Sequence, residues 1–420
     1  MQADSSGRDS SERDRLLSDI AERFGTPTYV YDLGEVSRQL GRLKLALPSA
    51  LIYYAVKANP AGAVMGHLAR QGLGAEVITL GELARALRAG FPAERVILGG
   101  PAQPEAMRAQ AREAGVALVS LDSPSQLQAW EAQGSAEDGG TRFLLRLNPG
   151  LDPGTHEHLA TGAAESKFGM PFDTVAELAE GLAERGRLAG FHVHAGSQIE
   201  EVGIYDDILG QLRELYQAYG EAKLLDIGGG FAVPGFPLEA FATRVRGFAK
   251  SFGLTLMIEP GRYLVAQAGV LLTRVLHVKD GPVTHVIADA GMAELIRPAL
   301  YRAEHPIRLI AADAEDAKDR PQTVVDIDGP LCENADRLGR GLSLPRPRAG
   351  DLLAVEQAGA YGLGMSSNYA SSLRPAEVVI LGGEVRGEVR GEVRLARARE
   401  RVEDLLALEV APEVAPQAES

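Results

Sequence analysis

A chain of 420 residues is too long for one ordinary hydrophobic core, so two domains are expected. Its 45% hydrophobic and 24% charged residues are those of a soluble globular protein, and no apolar run approaches the ~20 residues that span a bilayer. The net charge of −14 speaks against nucleic-acid or anionic-membrane partners, and the single cysteine, Cys332, excludes an internal disulfide and fits a reducing cytoplasm.

Residues 1–15 (MQADSSGRDSSERDR) are polar and are expected to fray, while residues 1–32 as a segment are expected to contribute to the second domain. From there to about residue 265, short apolar runs alternate with helix-period stretches. The runs are LIYYAV (51–56), AEVIT (75–79), RVILG (95–99), ALVSL (117–121), RFLLRL (142–147), LAGFHVH (188–194), KLLDIG (223–228) and LTLMIE (254–259). Amphipathic segments such as LGELARALRAG and TVAELAEGLAERG lie between most of them. Eight strands separated by helices predict an α/β fold, a (β/α)8 TIM-type barrel over residues 33–267. A doubly wound open sheet would have fewer strands and a glycine-rich turn after the first, which this chain lacks. After residue 268 come VLLTRVLHVK, THVIAD, IRLIA, QTVVDI, DLLAVE and EVVIL, separated by turn residues. They predict a C-terminal mostly β domain, a sandwich or barrel, over 268–408. The tandem GEVRGEVRGEVR (383–394) reads as solvated hairpin or tail, and 409–420 as a disordered tail.

In such a barrel the active site lies at the C-terminal ends of the strands. The first strand ends in Lys57, with Tyr53, Ala55 and Lys57 on one face by alternation. An inward ammonium is costly unless it is paired or covalently used. Lys57 therefore reads either as a side chain snorkelling from the rim or as a Schiff-base lysine with a lowered pKa. The sixth strand ends in His194, two residues after His192 and three before Ser197. An imidazole there could stack on a heteroaromatic ring, and the hydroxyl could donate to a phosphate. The seventh runs into Gly228, Gly229 and Gly230, whose N–H groups could approach an anion where such barrels often bind phosphate. The eighth ends in Glu259-Pro260-Gly261-Arg262. The carboxylate could pair with a protonated pyridine nitrogen, and the guanidinium could clamp a carboxylate or phosphate. Each piece also has a plainer reading: a structural histidine, a flexible turn, an exposed ion pair. Together, at successive strand ends, they point to pyridoxal phosphate and to no metal.

YAVKAN around Lys57, HVHAGSQ around His194, GGGF, EPGR, GPLCENAD (329–336) and GAYGLGMSSNY (359–369) closely resemble runs of the pyridoxal-phosphate decarboxylases with an alanine-racemase-like barrel. RLNPGLDPGTHEHLATGAAESKFGM (146–170), IRPALY (296–301) and SSNYASSLRPAEV resemble the branch of that family acting on meso-2,6-diaminopimelate, and the likeness covers roughly residues 20–408. The resemblance implies decarboxylation of that substrate to L-lysine by a cytoplasmic homodimer whose active sites are each completed by the other chain. It implies that Lys57 carries the cofactor, His194 stacks on its ring, and Ser197 and Gly228–Gly230 hold its phosphate. Glu259 would pair with the ring nitrogen, Gly261 and Arg262 would join the cofactor-binding set, and Tyr361 would touch cofactor and substrate. Arg262, Arg297 and Tyr301 would bind the substrate's distal carboxylate, and Glu333 its distal amine. Cys332 and Glu333 would reach in from the other subunit, with Cys332 or Lys57 returning the proton.

Three stretches depart from the family pattern: Ile78-Thr79-Leu80-Gly81, Gly99-Gly100-Pro101-Ala102 and Ser371-Ser372-Leu373. The nearest alternative is a related decarboxylase for ornithine, lysine or another basic amino acid, whose substrates end in a cation and offer Arg297 no anion. A racemase would want the ring nitrogen unprotonated and facing an arginine, which Glu259 opposes. A lysine Schiff-base aldolase would leave the β domain without a purpose, and a non-catalytic cofactor carrier would be much shorter.

Overall fold

The computed structural model describes residues 5–134, 140–151, 165–310, 319–382 and 391–410, with side chains from residue 12. Most of the 146–170 motif, the first two GEVR copies and the tail from residue 411 lie outside the described residues. No helix among those described is long and apolar enough to cross a membrane.

A helix, Ser5–Phe24, leads into β1 (Thr28–Asp32). The next eight strands are β2 (Leu51–Ala55), β3 (Gly74–Val77), β4 (Val96–Leu98), β5 (Leu118–Leu121), β6 (Arg142–Arg146), β7 (Leu188–His192), β8 (Leu224–Asp226) and β9 (Thr255–Ile258). They form a closed barrel of parallel neighbours, sealed where Leu51 and Ile52 of β2 pair with Met257 and Ile258 of β9. Tyr53, Ile97, Leu118, Leu144, Ala189 and Met257 form one buried cluster of strand residues, the packed interior of a TIM-type barrel. Helices cover its outside. In Leu80–Ala89, Thr79 Oγ1 accepts the Glu82 N–H at 3.1 Å, Glu82 Oε2 accepts the Ile78 N–H at 2.8 Å, and Gly90 ends the helix in the left-handed region. The departure at Ile78–Gly81 is thus a helix-capping turn.

The remaining strands are β10 (Gly269–Lys279), β11 (Thr284–Ala288), β12 (Ile307–Ile310), β13 (Gln322–Asp328), β14 (Arg337–Pro345), β15 (Leu352–Val355), β16 (Ala376–Leu381) and β17 (Glu392–Arg397). With β1 they build a nine-stranded mixed sheet in the order β14-β13-β11-β10-β1-β16-β17, with β15 beside β10 and β12 beside β15. Strands β14 and β17 fall outside the six runs that sequence periodicity marks. They end the path, are half-exposed (β14) or mostly exposed (β17), and carry Arg, Gly and Ser or Glu in place of an apolar run. The last GEVR copy enters β17, antiparallel to β16.

The expected fraying through residue 15 does not hold from Ser5 onward. Leu17, Ile20 and Ala21 recur at helical spacing and are buried against Val30, Leu272, Val378 and Ile380 of the sheet. Burying one large aliphatic side chain contributes ~1.5–3 kcal/mol. The polar first turns extend that anchored helix, and Arg13 and Asp14 form ion pairs with Glu356 and Arg308.

Candidate active site

Strand β2 stops at Ala55, and Lys57 sits in the short turn Val56–Ala58 that follows it. Its Nζ donates to Oε2 of Glu76, a buried residue of β3, at 2.9 Å. This pair reverses the expected shift. Burial pushes the amine down, but the charge of Glu76, joined by Tyr361 and Glu259, pushes it further up, so Lys57 is held above its ordinary value.

Behind this pair lie His192 at the end of β7, Asp226 at the end of β8 and Glu259 just past β9, with ligand atoms within 4.8 Å of one another. His192 Nδ1 is 2.8 Å from Ser120 Oγ of β5, and its Nε2 is 3.7 Å from Glu259 Oε2. Burial, then the charge of Arg146, lowers both His192 and His194 and keeps the imidazoles neutral. Burial raises Asp226 and Glu259, and the charge of Asp226 raises Glu259 further. Glu259 Oε1 is buried without a partner among the described residues. An acceptor so placed suits a ring N–H of pyridoxal phosphate.

The glycine run is a packed corner and not a flexible turn. A Cβ on Gly228 would lie 2.7 Å from His194 Nδ1, on Gly229 2.4 Å from the Glu259 carbonyl, on Gly230 2.1 Å from that of Gly196, and on Gly261 2.8 Å from Ala58 Cβ. Two of the three N–H groups expected to meet an anion are already used: Gly228 donates to Asp226 Oδ1 at 2.9 Å and Gly229 to His194 Nδ1 at 3.2 Å. Gly230 is the one of the run whose N–H has no acceptor among the described residues.

Across the mouth stand two arginines. Arg262 Nη2 donates to Ser197 Oγ at 3.3 Å, and its guanidinium lies 4.7 Å from the Tyr361 ring centroid. Tyr361 has a positive φ of 55°, a conformation costing a bulky residue ~1–3 kcal/mol. It is held by its N–H to the Ala58 carbonyl at 2.7 Å, while Asn59 Nδ2 donates to the Gly359 carbonyl at 2.8 Å. These bonds tie the segment after β15 onto the Lys57 turn. Arg297 opens the helix Arg297–Tyr301 and meets His305 Nε2 through Nη1 at 3.0 Å. Burial, then the charge of Arg262, lowers Arg297 to about 10. Neither arginine has a carboxylate partner among the described residues, and the Nε of each is buried and unpartnered there.

Cys332 is exposed, and Glu333 accepts from Tyr369 Oη at 3.1 Å. Their loop is pinned by buried Asp336, whose Oδ2 accepts the Leu331 N–H at 2.7 Å. Among the described residues neither makes a hydrogen bond or ion pair with Lys57, Glu259 or Arg297. The mouth also holds residues the motifs do not single out: Glu76, Ser120, Arg146 and Asp226. Each is a polar residue within an apolar strand run, the same signal that marks Lys57.

The family model described as pyridoxal-dependent decarboxylase, pyridoxal binding domain, matches residues 33–266. The chain belongs to the pyridoxal-dependent decarboxylase family. Within this decarboxylase family it is 41% identical to a diaminopimelate decarboxylase of Deinococcus radiodurans, over 87% of this chain and 93% of that one. It is 34% identical to one of Zymomonas mobilis, over 88% and 90% of the two chains. Its fold is similar to the crystal structure of diaminopimelate decarboxylase from Helicobacter pylori complexed with L-lysine, with a TM-score of 0.84, 30% identity, and coverage of 93% and 98%. The family's cofactor, pyridoxal phosphate, fits the residues present: a lysine at the mouth, an orphaned buried carboxylate oxygen and a corner too tight for any Cβ.

Proposed function

We propose that this decarboxylase releases carbon dioxide from meso-2,6-diaminopimelate and leaves L-lysine, completing lysine biosynthesis. The observation that carries the substrate is the pair Arg262 and Arg297, half-buried with their Nε atoms fully buried, and without a carboxylate partner among the described residues. A buried guanidinium is stable when an anion or fixed acceptors meet it. Ornithine, lysine and arginine end in a cation. Diaminopimelate ends in an amine and a carboxylate, and the relatives named above carry that substrate in their names.

Bound pyridoxal phosphate supplies the electron sink for the pair left behind as carbon dioxide departs. Lys57 would hold it through Nζ, and Glu76 Oε2, 2.9 Å away, would be placed to accept the proton that Nζ must release. Glu259, raised by burial and by Asp226, would hand its proton to the ring nitrogen and would then face the resulting N–H as a carboxylate, with Asp226 and His192 beside it. His194 would lie against the ring. Gly230, Ser197 and Arg262 would hold the phosphate, while Gly228, Gly229 and Gly261 would shape the cradle by presenting no Cβ. Arg262, Arg297 and Tyr301 bind the distal carboxylate, and Tyr361 borders cofactor and substrate.

A cytoplasmic homodimer completes this reading. The partner subunit's Glu333 meets the distal amine, and the partner subunit's Cys332 or Lys57 returns the proton. Support comes from the exposure of Cys332 and from the absence of bonds between this loop and its own chain's mouth among the described residues. The chain divides into an N-terminal segment (1–32), a cofactor-binding barrel (33–267), a β domain (268–408) and a tail. Sheet membership of β1 supports the first boundary. The test is carbon dioxide release by the holoenzyme from meso-diaminopimelate beside ornithine, lysine and arginine. Release from diaminopimelate alone is expected; release from ornithine or lysine would overturn the assignment of the arginines.

A further inference from the structure

His305 belongs to none of the motifs tied to the site, yet it is buried and both ring nitrogens are engaged. Nδ1 is 3.0 Å from the Glu356 carbonyl oxygen, and Nε2 is 3.0 Å from Arg297 Nη1. A carbonyl oxygen only accepts and a guanidinium only donates, so Nδ1 carries the proton and Nε2 turns its lone pair to Arg297. The bonding therefore requires the neutral ring. Burial, then the charge of Arg297, agrees with this by lowering His305 to about 4.

The histidine is itself braced. Glu356 accepts from Arg308 Nε at 2.9 Å and from Arg13 Nη2 at 3.1 Å, and its N–H donates to the Pro306 carbonyl at 2.8 Å. A line of contacts thus runs from the N-terminal helix through Glu356 and His305 to Arg297. An aspartate or glutamate at position 305 could orient the guanidinium as well, but it would cancel the charge an anionic ligand needs.

We propose that His305 is a positioning residue that aims Arg297 at the distal carboxylate of the substrate while leaving its charge uncompensated, and so helps set specificity. This rests on the role of Arg297 proposed above. The test uses holoenzyme carrying His305→Phe, His305→Gln or His305→Glu, with Arg297→Ala alongside. KM and kcat for meso-diaminopimelate and the visible absorption of bound cofactor are measured. His305→Phe keeps the bulk and loses the acceptor, so KM should rise about ten-fold or more, as for a lost bond to a charged group. The kcat should stay within about two-fold, and the cofactor absorption should be unchanged, because only substrate binding is touched. His305→Gln, which keeps a neutral acceptor, should recover most of the loss; His305→Glu should not. An unchanged KM in His305→Phe beside a raised KM in Arg297→Ala overturns the role of His305 and leaves that of Arg297 intact. An unchanged KM in Arg297→Ala overturns the earlier reading itself. Should His305→Phe fail to fold or to hold cofactor, equal KM values in the Gln and Glu variants overturn the proposal.

Discussion

The two sides of the barrel mouth carry opposite surpluses. On one side Glu76, Asp226 and Glu259 surround a single ammonium and a neutral His192, and Asp226 Oδ2 and Glu259 Oε1 are buried acceptors with no partner among the described residues. On the other, among the described residues, Arg262 and Arg297 meet only a hydroxyl, an aromatic face and a neutral imidazole, and their unpartnered buried atoms are donors. An unsatisfied buried polar group costs ~1–3 kcal/mol. Two such deficits of opposite sign in one mouth describe the ligands that would relieve them: a cation at the acidic side, anions at the basic side. A pyridinium ring with a phosphate, followed by a substrate ending in a carboxylate, matches both.

Variants on each side test whether the two are as distinct as their charges. The largest effect is expected for Lys57→Ala, which should abolish carbon dioxide release and the visible absorption of lysine-bound cofactor. Retained turnover would break the acidic side's assignment. Glu259→Gln removes the charge that keeps the ring nitrogen protonated, so kcat should fall on the order of 10²-fold, the scale of one lost electrostatic contact in a site of this kind. The fall should appear in kcat, since the interaction matters most as charge develops. On the basic side, Arg297→Ala should instead raise KM for meso-diaminopimelate about 30-fold or more, as when one partner of a buried charge pair is truncated. A kcat effect there and a KM effect at Glu259 would show that the sides do not divide the work in this way.

The smallest effect concerns stability. His305 is held near 4 in the folded chain against about 6.5 when free, so the unfolded chain binds the extra proton between those values. Stability from this group is full above about pH 6.5 and is lost as pH falls toward 4. Unfolding free energies from urea titrations at pH 7.5 and 4.5 should therefore differ by about 1–3 kcal/mol more in wild type than in His305→Phe.

Much of the barrel is legible in sequence because each strand is an apolar run whose length and spacing suit the fold, and the strand-end motifs bring Lys57, His194, Gly228–Gly230 and Glu259 to one mouth. The charge state of Lys57 is not legible. It depends on Glu76, a strand away, whose apolar context signals burial but not its partner. Asp226 and His192 meet Glu259 because β8 pairs with both β7 and β9, with His192 beside Asp226 and Asp226 beside Met257, a register that no local pattern reveals. The run GGG suggests three free N–H groups, while the folded corner has spent two of them on Asp226 and His194. His305 gives no signal at all, lying in a short polar stretch before β12 and buried where its ring meets Arg297 and the Glu356 carbonyl, both distant from any local pattern.

The central claim is that the basic side receives the distal carboxylate. L-lysine, the product, keeps that carboxylate, and cadaverine is the same skeleton without it. The most direct measurement compares the two as competitive inhibitors of meso-diaminopimelate decarboxylation, in wild type and in Arg297→Ala. Tighter inhibition by L-lysine in wild type, with the preference erased in the variant, is the predicted result. Equal inhibition in wild type, or a preference for L-lysine that survives loss of Arg297, would contradict it.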